Sequence, residues 1–320
     1  MAAGRYLGDM KKLLPIICTV ILVWGMTAAA VLLDNREIIF PEIAAIAVGA
    51  LVSPKFSWNA NKLRIFIYIT VCAVLGVAIV MWLPLPVWAQ MITAFLLAQI
   101  LLVNSKTSFA PMISAMVLPV MLQTDTPLYL ASAVIMTALI LLFRTAFEKV
   151  NILEKNEFTP LSKPHWNEYK SILWRTLFSA AMIVPALFLD FRLAVAPPLL
   201  VAFTEFSNPN SKARSFPVKA VALITGCAVL GAGLRYVFCI KLGIFPLYAV
   251  SALAILLVIA VMRLIKSYIP PAGAISVLAM LIPEEAVLWY PVQILAGSTV
   301  IMTVSLLFFK EKNKPYYIQK

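Results

Sequence analysis

Two carboxylates and two lysines stand out in a chain that is otherwise almost wholly apolar. Glu42 follows Pro41 near the start of one apolar run, and Glu205 follows Thr204 near the end of another. Lys106 precedes Ser108 and Pro111, and Lys266 precedes Pro271, Gly273 and Ser276, so lysine and proline recur together 160 residues apart. A proline that opens an apolar segment starts a helix whose first N–H groups have no partner within it. Such an end offers partial positive charge to an anion. A nearby lysine or serine adds donors. The pattern therefore predicts two anion-binding helix ends built from Lys106, Ser108, Pro111, Lys266, Pro271, Gly273 and Ser276. A carboxylate enclosed among apolar side chains is a natural proton carrier, which makes Glu42 and Glu205 the candidates for a coupling proton.

The elements that position these residues follow from hydropathy. Of 320 residues, 62% are hydrophobic and 12% charged, and the mean hydropathy is +0.96. A soluble domain is nearer half apolar and a quarter charged, so the chain reads as an all-α polytopic membrane protein. Apolar runs fall at 15–33, 38–52, 65–83, 87–103, 109–122 and 128–143, then at 176–189, 193–206, 218–234, 244–262, 268–282 and 286–309. The runs at 38–52, 109–122, 193–206 and 268–282 are shorter than the roughly 20 residues a full crossing needs. They contain proline, and they are expected to cross as kinked helices. Short, Pro-interrupted segments at corresponding places in two halves point to a transporter's substrate site.

The two halves are written alike. Ile69-Thr70-Val71-Cys72-Ala73-Val74-Leu75-Gly76 returns as Ile224-Thr225-Gly226-Cys227-Ala228-Val229-Leu230-Gly231, with one difference. Leu33-Asp34-Asn35-Arg36 matches Leu189-Asp190-Phe191-Arg192, Pro41 matches Pro197, and Val134-Ile135-Met136-Thr137 matches Val300-Ile301-Met302-Thr303. Order is kept while the offset grows, as loop insertions would make it. The expected organisation is a six-span repeat at 1–143, a cytoplasmic linker at 144–175 and a second six-span repeat at 176–320. That makes about 12 transmembrane helices in two parallel six-helix repeats. The repeat also argues against a cleaved leader at the N-terminus, since the counterpart of the first run lies mid-chain.

Charge supports alternate crossing from a cytoplasmic N-terminus. All but four of the 26 Lys and Arg then fall inside, and only Arg36, Arg192, Arg235 and Lys241 fall outside. Both termini are expected in the cytoplasm. Arg144 and Arg263 are expected to snorkel at the inner interface, and 235–243 to form a loop. The net charge of +12 needs no nucleic acid to explain it. No phosphate loop, zinc-protease motif, nucleophile elbow or cysteine–histidine arrangement occurs, so no enzyme activity, metal or cofactor is expected. The four cysteines lack metal or disulfide spacing. Gln90, Gln99 and Thr225 read as interhelical hydrogen-bonders, and Gly231-x-Gly233 as a close-packing site.

In the second half, Pro197-Pro198 precede Asn208-Pro209-Asn210-Ser211-Lys212-Ala213-Arg214 and the glycine-dotted stretch Gly226 to Gly233. This plan resembles the fusaric acid resistance protein-like and aromatic acid exporter families, over nearly the whole chain, as a short form lacking their cytosolic domain. The resemblance implies proton-driven export of aromatic carboxylic acids or similar small organic anions across the bacterial inner membrane. It also implies a periplasmic adaptor (membrane fusion) protein as partner, and leaves room for a homo-oligomer. Ile269-Pro270-Pro271-Ala272-Gly273 resembles the His-Pro-Pro signature of another small membrane family, with Ile269 in the histidine's place. The other functions compatible with these residues are a non-transporting membrane subunit of an efflux or assembly system, and a passive anion channel.

Overall fold

The computed structural model describes residues 2–310, apart from the side chains of residues 2–10 and 12. The basic stretch at 311–320 and the side chains of Arg5 and Lys12 lie outside the described residues. In chain order the helices are α1 (Ala2–Leu32), α2 (Glu42–Ala47), α3 (Lys62–Trp82), α4 (Val87–Asn104), α5 (Met112–Leu122), α6 (Pro127–Lys149) and α7 (Trp166–Phe188). They continue as α8 (Pro197–Phe206), the single turn α9 (Lys212–Ser215), α10 (Pro217–Leu234), α11 (Leu247–Leu264), α12 (Pro270–Leu278) and α13 (Tyr290–Phe308). No strand occurs among the described residues. Eight helices are long and apolar enough to cross a bilayer, namely α1, α3, α4, α6, α7, α10, α11 and α13. They fit a multi-pass membrane protein.

The four short runs behave differently from the eight long ones. Each begins at a proline: Pro41 and Pro111 stand at the N-cap of α2 and α5, while Pro197 and Pro270 open α8 and α12. Proline fixes φ near its helical value and lacks the N–H that the first turn cannot use. The resulting half-length helices are buried almost all round, with every residue of α2 and α12 inaccessible. α2 runs on into a π-helical turn, Val48–Val52, instead of holding one geometry. The long helices keep one side outward: Trp24, Ile135, Leu142, Val229 and Leu307 are all exposed. An apolar outer surface is unstable in water and suits lipid.

The half-length helices sit side by side in the middle. α2 packs on α12, α12 on α8, and α8 on α5. Around them α1 packs on α11 and α4 on α7, so each half lends an outer helix to the other. Glycines set the spacing. A Cβ on Gly76 in α3 would come within 2.4 Å of the Met116 carbonyl oxygen of α5, and one on Gly231 in α10 within 2.2 Å of the Ser276 oxygen of α12. These are the last residues of the two matching eight-residue stretches, and at both places a long helix presses onto a buried half-helix.

α6 continues to Lys149 and α7 begins at Trp166, so both ends of the 144–175 stretch are helical and 150–165 is not. Two expectations are corrected. The loop expected at 235–243 is largely a π-helical continuation of α10, Arg235–Lys241. Arg144 does not snorkel: it is 3% exposed, and its position is explained below.

Candidate functional site

Glu42 is the first residue of α2, and no part of it is accessible. Its carboxylate lies against the Ser114 hydroxyl of α5, and no other polar side chain bonds either group. Tyr129 of α6 and Tyr290 of α13 are fully buried and lie within electrostatic range of it. Their hydroxyls are already committed. Tyr129 Oη donates to the Ala115 carbonyl at 2.8 Å, and Tyr290 Oη to the Ile275 carbonyl at 2.6 Å. Each tyrosine thus ties the start of a long helix to the body of a half-helix. On the remaining side α12 brings Gly273 to within 3.3 Å, by its missing Cβ, of the Ala44 carbonyl oxygen. One turn beyond Gly273, the buried Ser276 hydroxyl lacks a partner. A carboxylate with no charged partner in apolar surroundings costs several kcal/mol or more if it stays charged. The arrangement is therefore a closed polar pocket around one carboxylate.

Glu205 lies elsewhere, near the C-terminus of α8 at the end of the bundle that carries the linker. Trp58 Nε1 donates to Glu205 Oε1 at 3.1 Å. The Trp58 ring in turn covers Gly49, where a Cβ would come within 2.2 Å of it, and meets Phe109 edge-on at 5.1 Å between centroids. The two carboxylates therefore belong to separate environments, Glu42 sealed against Ser114, Glu205 partly accessible and bonded to Trp58.

Half-helices that end inside a bundle leave carbonyls that lipid cannot satisfy, and side chains from other elements serve them. Arg144 Nη1 donates to the Ala50 carbonyl at the end of the α2 segment at 2.7 Å, while its Nε holds Glu148 at 2.7 Å and its Nη2 the Glu154 carbonyl. Lys62 completes that group with a 2.5 Å bond to Glu148. Arg214 Nη1 donates to the Phe206 carbonyl at the end of α8. Arg235 Nη1 donates to the Ala279 and Ile282 carbonyls past the end of α12, each at 2.6 Å. At the end of α5 the same need is met by Gln123 Nε2 on the Val120 carbonyl at 2.7 Å. A cation at a helix C-terminus also opposes the partial negative charge there.

The lysines occupy matching but peripheral places. Lys106 and Lys266 adopt left-handed backbone, φ 55° and 50°, where the chain turns off the ends of α4 and α11. Lys106 is half-buried and Lys266 exposed, and Ser108 accepts a hydrogen bond from the Asn59 backbone N–H. Pro111, Pro271, Gly273 and Ser276 are buried with the half-helices. The structure thus brings Gly273 against the helix that carries Glu42, sets Ser276 against Gly231 of α10, and leaves Lys106, Ser108, Lys266 and Glu205 at the linker end. The Gln99 expectation holds, since its Nε2 bonds Thr204 Oγ1 across α4 and α8 at 2.5 Å. Thr225 Oγ1 has no partner.

Tyr129, Tyr290, Trp58, Arg144 and Arg235 were not singled out as site residues. One signal was present for Arg144: Glu148 follows it by four residues in an apolar helix, a spacing that pairs charges. No family model, no curated protein and no solved structure matches the chain.

Proposed function

We propose that this chain is a secondary active exporter of small organic anions, such as aromatic carboxylic acids, in the bacterial inner membrane. It is built from two like-facing six-span repeats, about twelve crossings in all, with both termini cytoplasmic. The proposed group is the fusaric acid resistance-like and aromatic acid exporter superfamily, in which a periplasmic adaptor would extend the path. The matched partners of the half-helices, α2 on α12 and α5 on α8, support the duplication. So do the matched tyrosine bonds to α5 and α12.

The single observation that carries the transport reading is Glu42, a fully enclosed carboxylate with no charged partner and only the Ser114 hydroxyl beside it, on a proline-started half-helix between the two halves. Intramembrane ionisable groups are expensive and mark ion or substrate pathways. In this reading Glu42 takes up and releases the coupling proton as the core closes and opens. The half-helix starts at Pro111 and Pro271, with Ser276, line the anion's route. Lys106, Ser108 and Lys266 gather the anion at the linker end, where Glu205 tunes Trp58.

The test is purified protein in vesicles with an imposed pH gradient, following a panel of labelled aromatic acids. Wild-type protein is expected to move at least one of them against its gradient, and Glu42→Gln, inserted to the same level, to reduce this to the rate of empty vesicles. Full retention in Glu42→Gln removes the coupling role. If wild-type protein moves no member of the panel but co-purifies with fixed partners, it is a membrane subunit and not an exporter. Anion currents that ignore the pH gradient would make it a channel.

A further inference from the structure

At the end of the bundle away from the linker, a cavity of about 290 Å³ opens between the halves. Its walls come from the turn after α1, from the π-helical end of α10, from the start of α11 and from the segment after α12. The deepest charged group on its wall is Arg235, which is 1% exposed. Only Nη1 of that guanidinium bonds to carbonyls, those of Ala279 and Ile282. A guanidinium has five N–H donors in a planar fork, so Nε and Nη2 are left for something other than the helix end. The remaining charges on the wall are Arg36, Asp34 and Glu284, all at the exposed rim. Arg36 pairs with Glu284 at 3.8 Å, and Asp34 is an exposed turn residue at the rim. Val31 and Leu247 supply apolar surface.

We propose that this cavity binds the carboxylate of a small organic acid, with Arg235 as its anchor. A planar fork and a carboxylate match bidentately. The volume is at the lower end of those of small-molecule sites, which suits a one-ring acid with its ring against Val31 and Leu247. The Arg36–Glu284 pair joins the two halves at the rim, so a bound anion would contact both. The choice of an organic acid rests on the exporter reading, whereas the presence of an anion site does not.

Cys239 lines the same cavity and is part-exposed, while Cys18, Cys72 and Cys227 are buried. Its alkylation by N-ethylmaleimide, followed by mass spectrometry on detergent-solubilised protein with no gradient present, reports occupancy without requiring transport. Benzoate at about twice its dissociation constant should slow the reaction roughly threefold, and benzyl alcohol, its neutral isostere, should not. Arg235→Gln should abolish the protection, and Arg235→Lys should weaken it. Because Arg235 also holds the end of α12, Val31→Trp provides a second route: it fills the cavity from an exposed position and should remove benzoate protection in a protein that keeps its melting temperature. No protection at any soluble benzoate concentration, equal protection by benzyl alcohol, or protection that survives both Arg235→Gln and Val31→Trp each overturns the site. Protection by benzoate with no transport of any acid would keep the site and discard the exporter.

Discussion

At the end of the bundle away from the linker, α5 finishes at Gln123 and α12 finishes beneath Arg235. α12 ends among buried side chains while α5 ends at an exposed Gln123, and both leave carbonyls that need donors. In the first half Gln123 Nε2 serves the Val120 carbonyl and also Gln90 Oε1, while Gln90 Nε2 serves the Leu83 carbonyl. Every member is neutral, and the corner is closed by amides. In the second half a full charge does the same work on two carbonyls, and it stands on the wall of a cavity. The repeat spacing of the matching helices aligns Arg235 with Val80, so the charge has no counterpart in the first half. The amide corner is exposed at Gln123, whereas the arginine corner is buried, so a neutral donor finishes the half-helix that reaches the surface and a charge finishes the one that ends inside. That charge also stands on a cavity wall, which the amides of the first half do not match.

The largest expected effect comes from removing that difference. Arg235→Ala strips two charge-assisted bonds from buried carbonyls and should cost about 3 kcal/mol or more. Melting in detergent should show a drop much larger than for any change at Gln123. A drop no larger than that for Gln123→Gly would mean that Arg235 is spent on the cavity and not on the helix. Lower in the bundle the comparison turns to likeness. Gly231→Ala drives a methyl into the Ser276 carbonyl of α12, and Gly76→Ala drives one into the Met116 carbonyl of α5. Each should destabilise by about 1–3 kcal/mol. Unequal losses in the two variants would show that the halves press on their half-helices differently.

Much of this was legible in the sequence, because its signals were local. Run length and proline marked 38–52, 109–122, 193–206 and 268–282 as the odd segments, and these became the buried half-helices. A glutamate directly after Pro41 in an apolar run marked Glu42. The arginines were illegible for a physical reason. A cation at the end of an apolar run can lie at an interface or turn inward, and what decides is where another helix's carbonyls fall. For Arg144 that is Ala50, 94 residues away, and for Arg235 it is Ala279, 44 residues away. The matched lysines carried a different lesson. Lys106 and Lys266 agree in position because the chain makes the same left-handed turn after α4 and α11. Sequence similarity there marks a backbone shape, whatever else the two side chains do.

Smaller effects refine the comparison at its neutral corner. Gln123 has left-handed backbone, φ 55°, and Gln123→Gly both deletes its two side-chain bonds and relieves that conformation. The loss of roughly 1 kcal/mol per neutral bond is partly offset by glycine's preference for this cap position, so the net change should stay within about 1 kcal/mol. A melting shift matching that of Arg235→Ala would show that the amide network carries as much as the charge.

The smallest effect should be favourable, and it lies on α10 between the glycine that presses on α12 and the arginine that ends it. A Cβ on Gly233 would meet nothing within 4 Å, so the expected pairing of Gly231 and Gly233 as one packing site splits into a tight position and an open one. In a helix, glycine costs roughly 0.5–1 kcal/mol relative to alanine because it surrenders more backbone freedom on folding. The first half already carries Ala78 at the matching position, two residues after Gly76. Gly233→Ala should therefore raise the melting temperature slightly, where Gly231→Ala lowers it, and should leave benzoate protection of Cys239 unchanged. If Gly233→Ala lowers stability or protection instead, α10 flexes at Gly233 when the Arg235 corner is occupied, and the contrast between the corners becomes one of motion as well as charge.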